Sequence, residues 1–492
     1  MRGITGFGAY VPRLRLTRGA VAQAHSWNGG RGGKPPAGER AMCNWDEDVI
    51  TMAVEAARDG LHPLNERGAS PDFGSICLAS TSLPHADRQN AGIVAMALNL
   101  GEQLNTTDMT GSQRAGTSAL LGALQADAGP RQHLVIASEH RGTRAGAPHE
   151  TRFGDGAAAF TLGCDNVIAK LLGSETISLD FVDHFRASEE KYDYYWEERW
   201  IRDEGVMKIL PRAIQAALAN TGLSAQDIDH VILPAPVPQA RQKIVAKMGF
   251  REEALVASHE GTIGDTGAAH PLLMLAEVLA RAKPEQTILL ASFGQGSDVI
   301  ILRTTELIGS VSPRLGLNGA IARRRAVEDY GKYLAFNDLI DRELGMRAEG
   351  DPKTALTQLW RRRDLIFGLV GGECRKCNTR QLPRSRYCIN PECNALDSQE
   401  PFAFPNVPAR VVTWSADHLS FTPDPPAYYG LIEFEGGGRM FANFGEIEAG
   451  ELNVGSAMRM AFRIKEVDRK RNFRRYFWKA IPEAAPQPTT GE

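Results

Sequence analysis

The chain has no run of about 18 or more apolar residues, so no segment reads as a membrane-spanning helix. Charge of neither sign dominates. Lys and Arg total 56 against 59 Asp and Glu, a formal net charge of −3 over 492 residues, which gives no whole-chain footprint for nucleic acid. The first twelve residues lack the basic start and apolar stretch of a signal peptide; they read as a strand ending at Pro12. Cysteine is scarce, with seven in all. Few thiols and no export signal argue against a disulfide framework and point to reduced cysteines in the cytoplasm. No tandem repeat of fixed period is visible.

What cysteine there is concentrates in one place. Cys374, Cys377, Cys388 and Cys393 follow the pattern C-x2-C-x10-C-x4-C, flanked by Gly371-Gly372 and interrupted by Pro391. Two close thiol pairs joined by a short loop suit a tetrahedral Zn²⁺ site. Four thiolates leave no open coordination position, so the expected role is structural.

At 492 residues, about three domains are expected on a soft prior of ~150 residues each. To about residue 310, short apolar runs such as Ile76–Ala79, His133–Ser138, Val231–Leu233 and Thr287–Ser292 alternate with helical stretches. The helical stretches include 46–60, 117–126 and 271–282, the first opening on Asp46, Glu47 and Asp48. This alternation predicts a mostly parallel α/β sheet system. Residues 313–370 read as connecting helices, with Arg323–Arg325 and Arg361–Arg363 as solvated faces. Beyond the cysteines, 401–480 is rich in short strands, with Glu435–Gly438 as a hairpin turn. Residues 481–492 read as a disordered tail.

Five stretches carry a resemblance: Asp46–Ala56, Asp108–Thr117, Phe153–Phe160, Gly264–Ala269 and Phe293–Ser297. Together they resemble the hydroxymethylglutaryl-CoA synthase branch of the thiolase superfamily. The C-terminal third resembles the zinc-ribbon and OB-fold proteins that accompany thiolase-like enzymes. The resemblance implies an α/β, two-half, five-layer αβαβα fold, with halves at 1–165 and 166–312. A zinc ribbon at 371–400 and a small OB-type β-barrel at 401–480 would follow. It also implies an acyltransferase or C–C lyase acting on a coenzyme A thioester, usually as a homodimer.

The family uses a helix-start cysteine, a histidine after a strand and a glutamate in a turn. The A-G-T anchor at 115–117 places Gln113 at the cysteine position. Pro234 stands at the histidine position, Thr81 at the glutamate position, and Asp265 where the family has Asn. An amide cannot attack a thioester at useful rates, so chemistry through an acyl-cysteine is lost. Cys43, Cys77 and Cys164 read as small packed apolar groups, and Ser112 lacks an evident base. Gln113 can hold a carbonyl or enolate, and Asp265 is a general base if burial raises its pKa. His85 and His270 are the other titratable candidates; the competing reading of each is a satisfied structural imidazole. Arg186, Arg199, Thr81 and Gly294 are the expected substrate-binding residues.

The aromatic stretch Tyr192–Trp200 falls where the family shapes its acyl pocket and can stack an aromatic or polycyclic acyl group. Taken alone it reads as core or dimer packing. Three functions compete. The leading one is C–C bond making or breaking on acyl-CoA without a cysteine intermediate, with decarboxylation of a β-keto or malonyl-type thioester as a variant. The second is a non-catalytic acyl-CoA-binding scaffold subunit of a thiolase-type complex. The third, disfavoured, is nucleic-acid binding through the strip from Arg469 to Lys479, where cations interleave with Phe473, Tyr476, Phe477 and Trp478.

Overall fold

The computed structural model describes residues 2–28, 36–66, 72–126, 129–235, 237, 239–312, 314–351, 353 and 355–483. They form two compact units. The first runs to Val94 and from Gly101 to Ile340; the second comprises Ala95–Leu100 and the chain from Asp341.

The first unit is one succession of elements used twice. Strand β1 (Gly3–Tyr10) leads through α1 (Val49–Glu66), β2 (Phe73–Ala79), α2 (Asn90–Ala97), β3 (Asn105–Met109) and α3 (Ala115–Gln125) to β4 (Gln132–His140) and β5 (Asp155–Gly163). Strand β6 (Ala169–Ser178) restarts the series. It continues through α4 (Met207–Thr221), β7 (His230–Ile232), α5 (Ala240–Met248) and α6 (His270–Arg281) to β8 (Thr287–Phe293) and β9 (Gly296–Thr304). The sheet order is β7-β8-β9-β6-β1-β5-β4-β2-β3. Leu255 bridges Val231 in parallel, standing in the second half where β3 stands in the first. The halves meet at their first strands, where Gly3 pairs with Lys170 and Ile4 with Ala169. The two-half organisation is therefore in the topology, although no sequence repeat announces it.

Alternation along the strands builds the layers. Ile288, Leu290, Ile300 and Leu302 pack with α3 and α6, while Leu289, Ala291, Val299 and Ile301 pack with α4 and α5. Both faces of these strands are covered, which is why they read as continuous apolar runs. Helix α6 is buried on almost every side, from His270 to Leu279, and forms with α3 the central layer. Helix α1 covers the first half-sheet. Asp48 lies just outside it as the cap, its Oδ1 accepting from the Ile50 and Thr51 amides at 3.0 Å each.

Residues 314–340 contain two helices, Gly316–Ala322 and Tyr330–Phe336, and between them a strand not expected there. They group with the first unit, and Arg325–Val327 pairs in parallel with Leu14–Leu16, which pairs with Glu39–Met42. A short alternating segment beside two strands finds backbone partners that no helix periodicity reveals. Arg324 is not simply solvated, since its Nε lies 3.0 Å from Glu39.

In the second unit, β10 (Val370–Cys374), β11 (Arg380–Gln381) and β12 (Gln399–Ala403) form a three-stranded ribbon. The four cysteine Sγ atoms gather within 4.8 Å of one another, with Cys377–Cys388 at 3.5 Å and Cys374–Cys393 at 3.9 Å. Strands β13 (Ala409–Asp417), β14 (Ala427–Phe434), β15 (Arg439–Asn443), β16 (Ala457–Asp468) and β17 (Phe473–Pro482) follow in the order β15-β14-β13-β16-β17. The Gly445 amide donates to Ala480 at 2.9 Å, bringing the end of β15 beside β17 and closing an OB-type barrel. Residues 481 and 482, expected to open the tail, belong to β17, and the rest of that expected tail beyond 483 lies outside the described residues. Tyr476 and Trp478 are buried in the barrel, and Arg475 and Arg471 pair with Glu466 and Asp468. Of the four interleaved aromatics, Tyr476 and Trp478 thus serve a core, while Phe473 and Phe477 are half-buried.

At Gly116 in α3 an added Cβ would lie 2.2 Å from the Ala268 carbonyl oxygen, whereas at Gly122 nothing lies within 4 Å. Gly116→Ala should cost about 1–3 kcal/mol. Gly122→Ala should gain about 0.5–1 kcal/mol from helix propensity. Urea unfolding of the two variants beside the wild type measures both.

Candidate active site

The carboxyl ends of β2, β4, β7 and β8 open on one side of the first half-sheet and its repeat, where ligands of α/β sheets gather. There a cavity of about 490 Å³ is lined by Gln113, Arg141, His149, Tyr195, Glu260 and Asp265, among others.

Gln113 lies just before α3. Its Nε2 donates to Thr81 Oγ1 at 3.3 Å, while its Oε1 is buried with no hydrogen-bond partner among the described residues. Gly267, at φ 54°, faces that oxygen; a Cβ there would come within 2.6 Å of it. A glycine is needed here for both conformation and space. Beneath, the buried Glu139 carboxylate accepts from the Thr81 amide at 3.1 Å and from the Ser80 and Ser82 hydroxyls. Position 81 has no carboxylate, but the neighbouring strand supplies one to the same turn.

Arg141 organises the charge. Its Nη1 donates to Asp265 Oδ2 and its Nη2 to the Tyr195 hydroxyl, both at 2.8 Å, with Asp193 at 3.8 Å and the Phe153 ring 3.5 Å below. Burial alone would raise the Asp265 carboxyl. Arg141 and the Gly267 amide outweigh it and hold Asp265 below the carboxylate range. The expected general base is therefore a fixed anion, because the cation beside it overrides desolvation. Glu260 behaves oppositely. Burial and the nearby Asp265 push its carboxyl up against Arg241, Arg152 and Arg18, which suits a group that exchanges protons in a cavity.

His270 also lines the cavity, but both ring nitrogens are engaged. Nδ1 accepts from the Thr266 amide at 3.2 Å and Nε2 donates to Ser258 O at 2.8 Å. Burial first of all lowers its pKa, so it is a neutral structural imidazole. His85 lies outside the cavity lining, its Nε2 3.2 Å from Arg88. Arg186 binds Asp193 at 2.8 Å and the Thr81 carbonyl, bracing the Thr81 turn from outside the cavity. Arg199 is exposed and absent from the lining. Gly294 is a packing residue: its carbonyl accepts from Ser112 Oγ at 2.8 Å, and a Cβ would lie 3.2 Å from the Gln113 amide nitrogen. That same hydrogen bond occupies Ser112. No cysteine lines the cavity among the described residues. Burial pushes the Cys43 thiol well up and Cys77 to about 11, so neither is a ready nucleophile.

Residues 406–463 match the profile of the ChsH2 C-terminal OB-fold domain, and 218–302 that of the 3-oxoacyl-[acyl-carrier-protein] synthase III C-terminal family. The hydroxymethylglutaryl-CoA synthase of Aeropyrum pernix is 31% identical over 337 residues, covering 67% of this chain and 92% of that one. The chain belongs to the hydroxymethylglutaryl-CoA synthase family. The corresponding protein of Archaeoglobus fulgidus is 30% identical over 351 residues, covering 68% and 98%. A crystal structure of hydroxymethylglutaryl-CoA synthase complexed with CoA superposes with a TM-score of 0.61 at 19% identity, covering 72% of this chain and 94% of that one. The 3-oxoacyl-[acyl-carrier-protein] synthase III of Aquifex aeolicus gives 0.50 at 20% identity, covering 62% and 100%. These likenesses establish the thiolase-like fold.

Arg141, Glu139, Glu260 and His149 were not among the residues expected to act, whereas Tyr195 lies in the aromatic stretch expected at the acyl pocket. A signal existed for two of them: Glu139-His140-Arg141 ends a strand legible from its apolar run, where sites of α/β sheets form. Glu260 sits in a loop and carries no local signature.

His149 stacks on Tyr195 at 3.8 Å and on Phe153 at 5.1 Å. Burial, then Arg152 and Arg141, push it down from 6.5 to about 4. A histidine depressed in the folded state contributes stability that is complete above 6.5 and lost as pH falls toward 4. Urea midpoints measured from pH 7.5 to 4.5 should therefore fall less steeply in His149→Phe than in the wild type.

Proposed function

We propose that this chain is an acyl-CoA enzyme that makes or breaks a carbon–carbon bond by direct Claisen or aldol chemistry, with no acyl group tethered to cysteine. The observation that carries the reading is Gln113, an amide on the wall of the cavity, with a buried oxygen left unpaired. The families of the similar proteins support the substrate class, since their names place them on CoA or acyl-carrier thioesters.

In the forward direction a base takes the α-proton of one thioester, and the enolate carbon attacks a second carbonyl, whose oxygen becomes a hydroxyl. In reverse the hydroxyl proton is withdrawn, the Cα–Cβ bond breaks, and its electrons pass to the enolate. Gln113 Oε1 accepts a hydrogen bond from the hydroxyl or enol at this centre. Glu260 exchanges the proton, because its raised pKa keeps it within reach of both states. Asp265 holds Arg141, and Arg141 holds Tyr195.

The ribbon cysteines are read as thiolate ligands of a structural Zn²⁺. Zn–S bonds of about 2.3 Å set tetrahedral S–S edges near ~3.8 Å, which the separations of 3.5 and 3.9 Å bracket. The Lys376 amide, 3.4 Å from Cys374 Sγ, fits a charged sulfur. Family resemblance supports a homodimer, and unpaired cysteines support the cytoplasm.

Two measurements test these readings. With labelled acyl-CoA mixtures, Gln113→Ala should lower kcat/KM by about 10²-fold, and denatured wild-type protein trapped during turnover should carry no label. Unchanged kinetics in Gln113→Ala would support the scaffold role, and label on a cysteine would overturn the mechanism. Elemental analysis should find about one zinc per chain, absent from a Cys377→Ser/Cys388→Ser variant.

A further inference from the structure

The cavity surface that the proposed bond chemistry does not use is mostly made of rings. Phe153, His149, Tyr195 and His184 form a contiguous cluster, with successive centroids 5.1, 3.8 and 5.0 Å apart and interplanar angles of 26°, 29° and 11°. Phe153 is tilted 51° to Tyr195 at 5.9 Å, so the parallel part of the series is His149, Tyr195 and His184, each lying against the next. Tyr195 cannot turn out of it, because its hydroxyl accepts from Arg141 at 2.8 Å and donates to Asp193 at 3.2 Å. His149, kept uncharged by burial, adds no cation to this surface.

The aromatic surface continues. Beyond His184 a second pocket of about 240 Å³ is enclosed by Val182, Phe185, Tyr194, Trp196 and Trp200. Asp183, His184, Tyr194 and Trp196 line both spaces. Phe185, Tyr194 and Trp196 are 53%, 57% and 59% exposed, so this aromatic surface is not filling a core. A flexible chain gains little from flat rigid walls beyond its area. A planar ring gains offset stacking as well, worth about 0.5–1.5 kcal/mol per pair.

We propose that the acyl group this site takes is an aromatic or fused-ring system, packed against the Tyr195–His184 series and reaching past His184 to stack on the half-exposed rings of the second pocket. The inference rests on the cavity being an acyl-CoA site.

Non-hydrolysable thioethers separate the two claims. S-(2-naphthylmethyl)-CoA and S-decyl-CoA carry similar amounts of carbon, one planar and one flexible. By titration calorimetry on the full chain, the naphthylmethyl compound should bind at least tenfold more tightly. Tyr195→Leu should reduce that preference below threefold, and so should Trp196→Leu, a half-exposed position where folding is not at stake. Decyl binding as tight as naphthylmethyl binding overturns the inference alone. So does a preference untouched by Trp196→Leu together with a changed sedimentation coefficient, which would make the aromatic surface a contact between copies. Failure of CoA and both thioethers to bind overturns the acyl-CoA reading beneath it.

Discussion

The backbone of α3 touches the backbone just before α6 because position 116 has no side chain and the Ala268 carbonyl occupies the space. That contact joins the two halves at their equivalent helices. It brings Gln113, three residues before Gly116, against Gly267, one residue before Ala268. Both helix N-termini then border one cavity, and the positive ends of two helix dipoles converge on it. Negative charge that develops on a thioester or enolate oxygen there is favoured by oriented backbone before any side chain acts. Doubling of the half-fold is thus also what assembles the site.

A site so biased toward anions must keep its own acids in order. Arg141 does this for Asp265 and Asp193, and in return it is pinned between them, over Phe153 and under Tyr195. The pairing removes Asp265 from proton exchange and leaves Glu260 as the acid whose charge is least favoured. Two carboxylates in one cavity, driven apart in pKa by different neighbours, divide the roles of counter-ion and proton carrier. Breaking Arg141 would therefore disturb charge, ring position and proton exchange at once.

Much of the scaffold was legible. The strands His133–Ser138 and Thr287–Ser292 are covered on both faces and so read as unbroken apolar runs, and the A-G-T anchor set the register that put Gln113 at the start of α3. Cysteine spacing located the ribbon because the geometry of a four-thiol site is local in sequence. The strand Arg325–Val327 was not legible, since its partner lies some three hundred residues away. The charge state of Asp265 was not either: its identity could be read, but Arg141, which decides it, comes from another strand. Arg186 and Gly294 were expected to bind substrate, yet one braces a turn and the other clears space for a backbone. Residue type suggested contact with substrate; position assigned support.

On the proposed reading, in which Gln113 stands where the family has a cysteine, an amide at a helix start changes what the field there is for. A thiolate placed at that end would itself absorb the stabilisation of the dipoles, holding the nucleophile ready. A neutral amide absorbs little, so the same field acts on charge carried by the substrate. The amide also keeps one hydrogen-bonding atom tied to Thr81 and one free, which orients it without consuming it. A hydroxyl or enol delivered to that free oxygen meets a preorganised acceptor and needs no covalent tether to stay in place, provided that binding energy from elsewhere on the acyl group holds it there. On the proposal made above, the aromatic surface around Tyr195 and His184 supplies such energy at a distance from the reacting carbon. Loss of the sulfur and the stacking of rings along the cavity are, on this view, two parts of one adaptation.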